Sequence, residues 1–117
     1  MEDEIIWNVQ NGATKEVEQL LKSDNDINKM YKGRTALHYA ADYGQVEMIS
    51  LLISKGAKVD AEDCYSMTPL CAAVLENHTK CAEVLIKNGA DVHGKTPDGR
   101  TFLEAAKDDE MKKLLQN

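Results

Sequence analysis

The chain has 117 residues, a size that fits one domain, and 43% of them are apolar, so its composition is not that of a disordered chain. Aromatics are only 5%, which leaves Ala, Leu, Ile and Val to do the packing. A formal net charge of −6 opposes nucleic-acid phosphates and anionic membrane surfaces; it favours a partner with a basic face and also serves solubility.

One phrase sets the register. Thr35-Ala36-Leu37-His38, Thr68-Pro69-Leu70-Cys71 and Thr101-Phe102-Leu103-Glu104 recur at an interval of 33 residues. A period of this size marks stacked supersecondary units, which present a surface rather than enclose a catalytic pocket. The first unit, about residues 1–29, lacks the phrase: Asp3 falls at the threonine position and Ile5 at the leucine position. Val17, Leu20 and Leu21 supply the apolar stripe of its second helix. The second unit, about 30–62, opens on a shortened turn, Tyr31-Lys32-Gly33, and Thr35 is the candidate N-cap of its first helix. Leu37, Ala40 and Ala41 form that helix's apolar face, and Gly44 ends it. Ile49, Leu52 and Ile53 give the second helix its i, i+3, i+4 stripe, with Gly56 as a left-handed cap. The third unit, about 63–95, repeats this with Pro69 just past its threonine, Asn77 at the Gly44 position, and Ala82, Leu85 and Ile86 on the second helix. The last, about 96–117, keeps Gly99-Arg100-Thr101 and Ala105-Ala106; its second helix is expected to be shortened to Asp109–Gln116, with Met111, Leu114 and Leu115 facing inward.

Few residues suggest chemistry. Cys71 and His78 share a unit, as a nucleophile and its base would. Cys71, however, fills the slot that His38 and Glu104 fill in their units, so the position reads as a tolerant repeat slot, and no enzyme is expected. His38, three residues after Thr35, is expected to tie the turn to neighbouring backbone. His93 falls in a loop, and three separated histidines make no metal pair. Asp24-Asn25-Asp26 begins like a calcium loop without its glycine or distal glutamate, so a helix-ending turn is expected. No cofactor or metal is expected. Three cysteines (Cys64, Cys71 and Cys81) without metal-ligand spacing read as free thiols in a reducing compartment. The start Met1-Glu2-Asp3-Glu4 is acidic where a signal peptide would be basic, and no apolar run approaches the roughly 20 residues that cross a bilayer. The expected location is the cytosol, with the nucleus as a second.

The Thr-Pro-Leu-x, Ala-Ala and Gly-Ala-x-Val phrases at fixed offsets resemble the ankyrin repeat over essentially the whole chain. The resemblance implies an all-α solenoid: one domain of four stacked helix-turn-helix units with turn fingers. Within that family the chain is most similar to the myotrophin-like proteins. The similarity lies in Leu37-His38-Tyr39-Ala40-Ala41-Asp42, Gly44-Gln45, the early Trp7 with Asn11-Gly12, Thr96-Pro97-Asp98-Gly99 and the ending Leu114-Leu115-Gln116. It departs at Tyr43 and in the shortened turn. Myotrophin-like proteins bind and inhibit the heterodimeric actin capping protein, so the resemblance implies that partner; a monomer is expected, and the acidic balance argues against nucleic acid and membrane. A generic adaptor for a transcription factor or kinase is the alternative.

In ankyrin proteins the partner-facing groove is lined by turn tips and the exposed side of the first helices. Carried onto this chain, the groove holds Trp7, Asn11, Tyr31, Arg34, Asp42, Tyr43, Tyr65, Met67, Leu75 and Glu76. Three of the four tyrosines and Met67 are expected to face solvent there, as suits an interface centre. Trp7 aligns with Tyr39, Ala72 and Ala105, and is expected to be partly exposed because half of its neighbourhood is absent. Asp42, Glu76 and Asp98, with Glu62 and Asp63 nearby, would steer a basic partner.

Overall fold

The computed structural model describes residues 2–116; Met1 and Asn117, the outermost residues of the first and last units, lie outside it. Among the described residues there are nine helices and no strand of a sheet. The four units contribute α1 (Glu2–Gln10) with α2 (Thr14–Leu20), α4 (Ala36–Asp42) with α5 (Val46–Ser54), α6 (Pro69–Leu75) with α7 (Thr79–Lys87), and α8 (Phe102–Ala105) with α9 (Asp109–Gln116). The first helices α1, α4, α6 and α8 pack side by side as an inner layer, and α2, α5, α7 and α9 pack as an outer layer behind them. This is the all-α solenoid of four stacked units expected from the repeat.

Local chemistry sets the helix starts. Thr35, Thr68 and Thr101 sit in extended backbone, and each hydroxyl accepts the N–H three residues on. His38 and Glu104 return the favour to the threonine N–H, closing a reciprocal cap. Cys71 offers no such acceptor, and there Pro69 at the first turn takes over, with its φ already fixed. Ends are set by the left-handed residues Gly12, Gly44 and Asn77, all at one repeat position. A Cβ on Gly12 would stand 2.7 Å from the Gln45 side chain, and one on Gly44 would stand 3.0 Å from the His78 ring. Gln45 and His78 are themselves equivalent, and each reaches back to the preceding inner helix: Gln45 Nε2 donates to Gln10 O at 2.7 Å, and His78 Nε2 lies 3.1 Å from Asp42 O. The glycines are therefore the space that lets one unit grip the next.

The core runs the length of the stack. Leu37, Ile49, Leu52, Leu70, Val74, Leu85 and Met111 are fully buried, and Ala40, Ala41, Ala72 and Ala73 allow the inner helices to approach closely. Leu114 is half-buried against this core. One expectation is met and exceeded, and one needs correction. In the last unit the second helix is shortened as expected, α9 spanning Asp109–Gln116 with eight residues against nine in the second and third units, and the first helix is shortened further, α8 having four residues against seven. The second helix begins eleven residues after the capping threonine in those two units and eight after it here, so about one helical turn has been removed from the inner layer. Asp24-Asn25-Asp26 begins a short helical turn, α3 (Asp24–Ile27), rather than ending a helix, and Ser23 Oγ accepts the Asp26 N–H at 3.2 Å. No helix among the described residues is long and apolar enough to cross a membrane.

Candidate binding face

The face is built from the turn fingers and the exposed side of the inner helices. Trp7 is 61% exposed on α1, Tyr43 52% exposed at the end of α4, and Tyr65 65% exposed at the tip of the third unit's turn. Asn11, one turn after Trp7, is exposed, and its side-chain amide donates to Trp7 O at 2.8 Å. Glu76 is exposed at the end of α6, in the repeat position of Tyr43 and Asn11. Trp7 is bare for a local reason. Its counterpart Tyr39 is covered by its own unit's turn: its hydroxyl donates to Tyr31 O at 2.6 Å and Arg34 lies 5.4 Å over its ring. No described turn precedes α1 to do the same.

Tyr31 is not on this face. It is 2% exposed, and its hydroxyl donates to Asp26 O at 2.8 Å. The shortened turn explains its inward position. Tyr31 and Arg34 pair directly, N to O at 2.7 Å, through two residues with positive φ, Lys32 and Gly33. The next two turns take one residue more, pairing Asp63 with Met67 and Thr96 with Arg100. Counting back from the threonine therefore sets Tyr31 beside the exposed Cys64, whereas its structural counterparts are Asp63 and Thr96, which are also buried. Met67 and Leu75, expected in solvent, are half-buried against the core.

Arg34 and Asp42, expected as free contact residues, are largely engaged with each other and with Asp63. Arg34 Nε donates to Asp63 Oδ2 at 2.9 Å, and its Nη1 to Asp42 Oδ2 at 3.3 Å. The Asp63 side chain is fully buried, so it cannot steer a partner. Its other oxygen accepts the amides of Tyr65 at 2.8 Å and Met67 at 2.9 Å. Sequence reasoning missed this role: Asp63 was one acid among several, and its cation lies 29 positions away. Asp98, by contrast, is exposed and pairs with Arg100 in its own turn.

His38 has the structural role expected of it. Nε2 lies 2.7 Å from Met67 O, which fixes it as the protonated nitrogen, and Nδ1 faces the Thr35 N–H at 3.2 Å and the Thr35 hydroxyl at 2.7 Å as acceptor. Burial pushes its pKa down from 6.5. At Asp63 burial opposes ionisation, but the Met67 and Tyr65 amides and the Arg34 guanidinium outweigh it and hold the carboxyl below its usual 3.8. In both cases the unfolded chain takes up the proton first as pH falls, so acid favours unfolding. The His38 contribution is intact above pH 6.5 and is lost as pH drops from there to its lowered folded value; that of Asp63 follows below pH 3.8. Urea midpoints across pH 4.5–7.5 are expected to fall on the acid side, and His38→Gln, which cannot titrate, is expected to flatten that step.

The Cys71–His78 pairing does not assemble a nucleophile. Cys71 is fully buried and burial pushes its thiol up to about 11, while His78 is aimed at Asp42 O in the neighbouring unit. His93 is exposed, and no described group of three His, Cys, Asp or Glu residues could hold a metal ion. Cys64, Cys71 and Cys81 are free thiols.

Residues 5–96 match the family model for ankyrin repeats, in three copies. The chain is 38% identical over 98 residues to ankyrin repeat and KH domain-containing protein mask-1 of Caenorhabditis elegans, covering 82% of this chain and 4% of that protein. It is 38% identical over 107 residues to protein phosphatase 1 regulatory subunit 12A of Rattus norvegicus, covering 83% of this chain and 10% of that one. It is also 38% identical over 77 residues to the B-cell lymphoma 3 protein homolog of Mus musculus, covering 65% of this chain and 17% of that one. The chain thus spans no more than about a sixth of the length of any of these three relatives.

Proposed function

From the ankyrin-repeat family, to which this chain belongs, we propose that its protein-binding face takes the heterodimeric actin capping protein and keeps it from sealing filament barbed ends. The coarser statement needs no proposal: ankyrin repeats mediate protein–protein binding. The finer one is carried by the face itself, where Trp7, Tyr43 and Tyr65 stand exposed beside carboxylates on a chain of net charge −6. Large rigid side chains of this kind serve as interface anchors, and the carboxylates would steer a basic surface. The sequence similarity to myotrophin-like proteins supports the same partner. Inhibition is then competition: the acidic face occupies the basic surface that capping protein presents to actin. We place this activity in the cytosol, and the chain acts as a monomer.

Glu76 sharpens the reading. It stands exposed at the C-terminus of α6, where a negative charge opposes the helix dipole. An acid kept at a locally unfavourable position suits a contact residue. Glu76→Arg is expected to weaken capping-protein binding by about tenfold, mostly through slower association. The melting temperature is expected to hold or rise slightly, because the new charge suits the helix end. Surface-plasmon rates and thermal melts check both halves. A pull-down with purified capping protein and an actin elongation assay test the function itself; absence of binding at micromolar concentration ends it. The similarity to a protein named as a phosphatase regulatory subunit favours a second reading, an adaptor for a signalling protein, which retention of that class of partner alone would support.

A further inference from the structure

The two exposed tyrosines at the centre of the face stand on opposite sides of one joint: Tyr43 closes the inner helix of the second unit and Tyr65 caps the turn of the third. Neither position fixes itself. Tyr65 is followed by Ser66 in the left-handed region, φ 62°, which a serine adopts only where its surroundings enforce it. What enforces it is Asp63, whose Oδ1 accepts both the Tyr65 and the Met67 amide across that turn. Asp63 in turn is oriented by Arg34, the only cation paired with it among the described residues. The same guanidinium holds the carboxylate of Asp42, the residue before Tyr43, and its Cζ lies 5.4 Å from the ring centre of Tyr39 one helical turn earlier. A planar fork with fixed donor directions can serve two carboxylates and a ring at once, whereas a lysine ammonium cannot.

We infer that Arg34 is a positioning residue of the binding face, setting the distance between Tyr43 and Tyr65 through Asp42 and Asp63 rather than touching the partner. The inference rests on reading that face as the interaction surface. Its side chain, 15% exposed, has little surface to offer a partner, while both rings it orients are open. Two neighbouring units, each with its own finger, are thereby made one rigid platform.

The first test needs no partner. Arg34→Gln is expected to speed hydrogen exchange of the Tyr65 and Met67 amides at least about tenfold, while the Ile49 and Leu52 amides in α5 keep their rates. Arg34→Lys, which keeps the charge without the fork, is expected to shift them the same way by less, and replaces Arg34→Gln should that variant lose its fold. The second test is a binding cycle on capping protein. Tyr65→Ala is expected to weaken binding about tenfold in the wild-type chain and less than about threefold in the Arg34→Gln background. Unchanged exchange at Tyr65 and Met67, or fully additive binding losses, overturns the inference. If the wild-type chain does not bind capping protein at all, the functional proposal falls, and the exchange rates alone decide whether Arg34 holds the tip.

Discussion

Replacing Leu52 by alanine is expected to cost about 2–5 kcal/mol of folding stability. Leu52 is fully buried on α5, whose packing partners are α2, α4 and α7. The helix that carries it is packed from three units, and a cavity left in so close-packed an interior collapses only in part. Its carbonyl also accepts the N–H groups of Lys55 and Ala57 that finish the helix, so the same residue anchors the turn at Gly56. A domain of this size holds only about 5–15 kcal/mol in all, so urea denaturation resolves the loss easily. A change below about half a kcal/mol would mean that the packing described here is wrong.

Asp63→Ala is expected to be as damaging, by about 3–5 kcal/mol, although no apolar contact of note is lost. The substitution removes the closer and more deeply buried of the two carboxylates paired with Arg34 and unmakes two charge-assisted hydrogen bonds to the Tyr65 and Met67 amides. It also releases Ser66 from its left-handed conformation. The matching control is Asp98→Ala. That ion pair is formed inside one turn and lies open to water, and Asp98 otherwise accepts from the Thr96 hydroxyl within the same turn, so a much smaller loss is expected. The two variants carry the same formal change in charge, and their difference in melting temperature isolates what burial and connection add. Equal losses would show that the Arg34–Asp63 link contributes nothing beyond surface charge.

The helical register was legible because it rests on local chemistry repeated three times. A threonine before Leu37, Leu70 and Leu103, and a left-handed residue at Gly12, Gly44 and Asn77, leave little freedom in where helices start and stop. The exposed members of the face, Trp7, Asn11, Tyr43, Tyr65 and Glu76, follow from that register. Where reading failed, the period itself had slipped. One residue is missing from the turn at Tyr31, and counting back from Thr35 then turns a buried ring outward. Three residues are missing after Thr101; the shortened second helix at Asp109–Gln116 was legible, but the loss of a turn from the first helix was not, because Ala105-Ala106 survives while the turn after it does not. The Arg34–Asp63–Asp42 cluster was illegible for another reason. It joins residues 8 and 29 positions apart through side chains, and a charge pattern does not say which acid a given arginine will reach.

The polar ties between units are unevenly spread, and that fixes the order in which the molecule comes apart. Between the second and third units lie Arg34 to Asp63, His38 to Met67, His78 to Asp42, the Cys64 amide to Gly33 O, and the Asp91 amide to Asp60. Between the third and fourth, among the described residues, the side-chain ties reduce to Asn77 with Asp108. Because each layer leans only on its neighbours, opening is a run along a line rather than a single collapse. The fraying front is expected to enter at α9 and travel inward, so amide protection should grade from weakest there to strongest in α4 and α6. A molecule arranged in this way could lose an outer leaf to thermal motion and keep its central grip intact.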